Sequence, residues 1–210
     1  GNDNGDDNGN DDNDDEGYVE EYDDLNNLNI TIDGVSFKMV FVEGGTFNMG
    51  AQSTDPEGLN YDSEAYDREA PVHSVTLSDY YVGETEVTQD LWQAVMGSNP
   101  SSFRSTGKLP VESISWDDCQ IFITKLRTMT GQYFRLPTES EWEFAARGGT
   151  KSKGYKYSGS NDIDAVAWYG SNSEDGTHVV GTKAPNELGL YDMSGNLWEF
   201  CQDWYGSYGN

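Results

Sequence analysis

The chain reads as an α+β domain with little regular secondary structure. Three segments carry both a capping residue and an apolar stripe at helical spacing. Two short runs have the β-branched and aromatic content of strands. A long stretch after Gly149 holds neither period yet stays rich in rings.

The strand runs are residues 35–42 and 72–77. Between them, residues 50–70 form a polar loop loaded with Asp55, Glu57, Asp62, Glu64, Asp67 and Glu69, and loops of that length are usually functional or mobile. Thr88 caps the first helix, which carries Leu91, Trp92, Val95 and Met96 and stops at Gly97. Ser115 opens the second with Asp118 three residues on, as in a capping box, and Cys119, Phe122, Leu126 and Met129 form its stripe before Gly131. Thr138 and Glu141 repeat that cap after Pro137; Trp142, Ala145 and Ala146 supply the third helix's buried side, and Gly148-Gly149 ends it. Beyond lie Tyr155, Tyr157, Trp168 and Tyr169 among Gly, Ser, Asn and Asp, which reads as ordered loop pinned by aromatics. No internal repeat is visible.

Charge divides the chain. Of 210 residues, 38 are acidic and 12 basic, a net of −26, so sequence-independent binding to a phosphate backbone is excluded by repulsion. No apolar run reaches the length of a membrane span. Residues 1–24 hold 12 of the acids and no Lys or Arg, too little apolar surface to offset chain entropy. Residues 1–30 are therefore expected to be a disordered acidic linker, and 31–210 the folded domain. Gly1 stands where an initiator Met would, which reads as a processed or engineered start. The leader resembles the tether behind the lipidated cysteine of exported bacterial lipoproteins; a solvated tail of a cytosolic protein is the alternative.

Much chemistry is absent from the pattern. There is no phosphate-cradling glycine loop, no dinucleotide fingerprint and no serine nucleophile elbow. His73 and His178 each lack a His or Cys at ligand spacing and read as ordinary histidines. Glu139, Glu141 and Glu143 sit around a helix start, where they complement its dipole rather than form a catalytic pair. Cys119 and Cys201, the two cysteines, are either one long-range disulfide or buried free thiols.

At Phe134-Arg135-Leu136-Pro137-Thr138-Glu139-Ser140-Glu141-Trp142-Glu143-Phe144-Ala145-Ala146-Arg147-Gly148-Gly149 the chain resembles the formylglycine-generating enzyme (sulfatase-modifying factor) family. Four further blocks agree: Phe41 to Gly50 with Gly44-Gly45, Glu86-Val87-Thr88 with Trp92, Pro110-Val111 before Ile114-Ser115-Trp116, and Asn186 to Phe200. The resemblance implies a C-type-lectin-like fold. Within it, Arg135 and Glu141 are candidates for a fixed ion pair, and Trp142 and Trp198 for core anchors.

The same resemblance places a calcium site at Asp192, Gly195, Leu197 and Glu199, through two side chains and two backbone carbonyls. Hard oxygens on an irregular loop are what calcium requires. A capped turn with an exposed acid is the alternative. The family's other calcium site is poorly matched, with Asn172 and Asp175 as remnants. The family's enzymes oxidise a sulfatase cysteine to formylglycine with copper held by two cysteines downstream of the Trp198-Glu199-Phe200 block. This chain contains no such segment, neither Cys119 nor Cys201 falls at those positions, and copper is not expected here. Apolar surface and sheet edges should then be exposed, or covered by a partner chain.

The expectation is a non-catalytic, exported surface protein, a bacterial cell-surface or periplasmic lipoprotein, whose domain binds a protein, peptide or glycan. The alternative is part of a copper-dependent oxidase whose catalytic cysteines lie outside this sequence. A sister branch using non-haem iron is remote with two isolated histidines, and receptor-like variable proteins of the same fold share the expectation of binding without turnover.

Overall fold

A computed structural model describes residues 17–204, Gly206 and Tyr208. Its main sheet is antiparallel, in the order β1 (Tyr18–Tyr22), β2 (Leu28–Ile32), β3 (Val35–Val42), β6 (Tyr80–Gly83). A second pair, β4 (Thr46–Met49) and β5 (His73–Thr76), lies in antiparallel register from Thr46↔Thr76 to Met49↔His73. Helices α1 (Gln89–Met96), α2 (Trp116–Thr130), α3 (Glu139–Ala146) and the single-turn α4 (Ile163–Val166) complete the regular elements among the described residues. This is the α+β architecture expected.

The expected linker over residues 1–30 is corrected in its second half. Residues 1–16 lie outside the described residues, but β1 and β2 are paired from Tyr18↔Ile32 to Tyr22↔Leu28. The physical reason is an alternation that the surrounding acids conceal. Leu28, Ile30 and Ile32 all point inward and are 7%, 0% and 1% exposed, while Asn29 and Thr31 face the other way. β1 and β2 therefore belong to the folded body.

Those three β2 side chains meet Leu91, Trp92 and Val95 of α1 and Phe122, Ile123 and Leu126 of α2. Trp92 and Phe122 stack at 4.9 Å with nearly parallel planes. The α2 stripe is corrected at its last member. Met129 is half-exposed, and Ile123 and Thr130 are buried on the inner face instead, because 3.6 residues per turn rotate the stripe past position 129.

All three anticipated caps form. Thr88 accepts from Leu91 N–H, and Ser115 and Thr138 both close full capping boxes with Asp118 and Glu141. Gly131 ends α2 at φ 69°, a left-handed angle that most side chains resist. A second cluster, Val40, Ala145, Leu190 and Met193, fastens α3 and the loop after Asn186 to the back of β3. That cluster positions the candidate site, since Asp192 lies between its last two members.

Candidate functional site: a carboxylate loop at residues 192–199

The loop begins at Asp192 and turns sharply. Asp192 and Asn196 both adopt left-handed backbone angles, φ 60° and 66°, and Gly195 N–H donates to the Asp192 carbonyl at 3.1 Å. Only glycine fits at 195, because a Cβ there would lie 2.2 Å from the Trp168 carbonyl oxygen. That carbonyl accepts from Asn196 N–H at 2.7 Å. The Asn196 side chain accepts from His178 N–H and donates to the His178 carbonyl and to Glu86 Oε2. Glu86 Oε1 in turn accepts from Leu197 N–H at 3.0 Å. Three distant segments thus converge on one turn.

The electrostatics of this turn are unbalanced. Asp192 is 3% exposed; its Oδ2 accepts from Gly181 N–H at 2.7 Å, while Oδ1 is buried without a partner. Burial pushes its carboxyl above the ordinary range, against the pull of the Gly181 N–H. Glu86 is pushed up to about 9, first by burial and then by the charges of Glu199 and Asp192. Glu199 is an exposed residue whose Oε2 accepts from Trp142 Nε1 at 3.2 Å. Among the described residues, no lysine or arginine forms an ion pair with any of the three.

The donor set fits a hard cation. Asp192 Oδ1 is an orphaned buried oxygen, and among the described residues no backbone N–H donates to the carbonyl of Gly195 or Leu197. No three His, Cys, Asp or Glu side chains converge as a metal cluster among the described residues. Glu86 is the residue that sequence reasoning missed. It sits in the Glu86-Val87-Thr88 block, where the visible signal was the approach to a helix cap.

Other anticipated residues fall elsewhere. Asn172 is committed to a turn, its Oδ1 accepting from Tyr169 N–H and its amide donating to the Ala167 carbonyl and to Asp164. Arg135 and Glu141 do pair, through two hydrogen bonds of 2.6 Å each. Trp142 is partly buried against the second cluster, but Trp198 is corrected: it is 101% exposed. Its neighbours explain this, because Leu197 N–H and the Glu199 carboxylate are engaged with Glu86 and Trp142, which turns the residue between them outward. Trp204 is equally open, at 98%, and Phe200 is half-exposed.

Cys119 and Cys201 are free thiols rather than a disulfide. Burial, aided by Asp118, pushes Cys119 up to about 11; burial, aided by Asp203, Glu139 and Glu199, pushes Cys201 up to about 12. His73 meets Tyr208 at 4.8 Å with tilted planes, and His178 lies flat on Trp168 at 3.7 Å.

A mixed fold of short antiparallel strands and few helices, carrying long tied loops and an oxygen-rich turn, defines a C-type-lectin-like domain. The model of the sulfatase-modifying factor enzyme 1-like domain matches residues 34–210, and the chain belongs to that family. It is 35% identical to the chaperone protein LppX of Paenibacillus barcinonensis, over 81% of this chain and 73% of that one. Identity to the formylglycine-generating enzyme of Thermomonospora curvata is 30%, over 80% and 71% of the two chains. The solved structure of Treponema denticola variable protein 1 superposes with a TM-score of 0.71 at 34% identity, covering 87% of this chain and 78% of that one. Among the described residues, no helix is long and apolar enough to cross a membrane.

Proposed function

We propose that this domain is a non-catalytic binding module of an exported protein, with a calcium-held loop shaping one part of its surface. The observation that carries the binding half is the exposure of Trp198, Phe200 and Trp204, three rings within seven residues, on a body that buries Trp92 to 3%. Rings left in water at that density suit a protein partner, which would cover them. Cys119 and Cys201 lie away from the positions of the family's catalytic pair, and burial, aided by acidic neighbours, disfavours the thiolate at both. Similarity to a relative named as a chaperone, beside one named as an enzyme, is in keeping with a scaffold that serves both uses. The acidic leader and the LppX relative support export.

Asp192 and Glu199 side chains and the carbonyls of Gly195 and Leu197 would hold the ion, with the Glu86 carboxylate beside them. Calcium there supplies positive charge to carboxylates that have no cationic side chain. Glu86 orients the turn through Leu197 N–H and Asn196, and Asn196 ties it to the His178 strip.

The deciding experiment incubates the protein with copper, oxygen and a cysteine-containing sulfatase peptide. The peptide should remain unmodified by mass spectrometry. Conversion of its cysteine to an aldehyde would establish the oxidase and overturn the reading.

A further inference from the structure

The twelve cations of this acidic chain are not evenly spread. Residues 144–161 contain Arg147, Lys151, Lys153 and Lys156 and no acid at all. This stretch leaves the end of α3 and passes over a cavity of about 200 Å³. Tyr155 and Tyr157 line that cavity beside Lys156 and Arg147, with Ser158 and Ser194 adding hydroxyls. Lys153 lies 5.9 Å from the Tyr155 ring centre and Lys156 lies 5.5 Å from that of Tyr157, so each cation accompanies a ring.

Within the cavity the signs are mixed. Arg147 pairs with Glu143 at 2.7 Å, and Glu187 also lines the wall. Glu187 Oε1 accepts from Lys153 N–H at 2.9 Å, whereas its buried Oε2 has no partner. Beside the cavity, exposed Lys153 lies over the Tyr155 ring and forms no ion pair among the described residues, while the lining Lys156 reaches Glu64 at 3.8 Å.

We propose that this cavity and the lysines beside it bind an acidic sugar, a uronate residue of a glycan. The ring face would lie on tyrosine, hydroxyls would donate to carboxylate and accept from serine and arginine, and the sugar's single carboxylate would meet those lysines. A phosphate group fits less well, since Glu143 and Glu187 would oppose its denser charge. The assignment rests on the binding-module reading and names a ligand class for it.

The test is calorimetric titration of the full chain with a galacturonic acid trimer at low salt, beside a neutral galactose oligomer and polyglutamate. The uronate should bind, the neutral oligomer more weakly, and polyglutamate hardly at all. Tyr155→Ala and Lys153→Gln should each weaken uronate binding roughly threefold to tenfold, with unchanged circular dichroism. No uronate binding at millimolar concentration overturns the site. So does equal binding of polyglutamate, or variants that bind as the parent does. An aldehyde in the sulfatase-peptide assay with uronate binding intact would overturn the non-catalytic reading alone.

Discussion

Glu141 and Glu86 are the same residue in opposite circumstances. Glu141 accepts from Thr138 N–H and from both arms of Arg135, and although burial opposes it, these partners hold its carboxyl below the usual range. Glu86 also accepts two hydrogen bonds, from Leu197 N–H and Asn196, yet it is pushed up to about 9. Glu141 accepts three hydrogen bonds and Glu86 two, but the larger difference is charge: a guanidinium faces one and two carboxylates approach the other. One carboxylate meets a cation; the other, among the described residues, meets hydrogen-bond donors and further carboxylates.

Supplying a positive charge beside Glu86 should produce the largest effect. Calcium at about a hundred times its dissociation constant should stabilise the protein by about 2.7 kcal/mol, or roughly 5–10 °C in melting temperature, by calorimetry. Asp192→Ala should abolish that response, and a melting temperature indifferent to calcium and chelator would remove the contrast. Beside Glu141, Arg135→Ala should cost about 1–2 kcal/mol at pH 7 in urea unfolding, discounted because the guanidinium is partly exposed. Glu141 has a depressed folded value, so its stabilisation exists above the ordinary 4.5 and is lost as pH falls. The gap between parent and Arg135→Ala should accordingly close in acid.

Glu86 has the opposite sign. Its folded value lies above the ordinary 4.5, so calcium-free protein should lose stability as pH rises from about 4.5 towards 9. Glu86→Gln, which resembles the protonated acid, should flatten that slope, and calcium should flatten it in the parent. The smallest change is Thr138→Ala, which removes one cap and should cost about 1 kcal/mol.

The same contrast explains what could be read from the sequence. The Arg135–Glu141 region is local: cap, box partner and terminating glycine lie within fifteen residues, and all three helix caps were legible for that reason. The strand β3 was legible as well. By contrast, β2 was hidden although Leu28, Ile30 and Ile32 alternate cleanly, because acids upstream dominated the composition. The turn at 192–199 was found through family likeness. Glu86 was not, since its role depends on meeting Asn196, 110 residues away, which no periodicity records. Trp198 was misjudged because hydrophobicity alone does not state which way a residue faces on an irregular chain.

The hairpin of β1 and β2 gives the domain a mechanical side. β2 buries its inner row against α1 and α2, while β1 adheres to it by one ladder and carries almost no core of its own. A pull applied at Tyr18 must peel or slide that five-residue ribbon before it loads the hydrophobic centre. The ribbon would yield at low force while the core behind β2 stays packed.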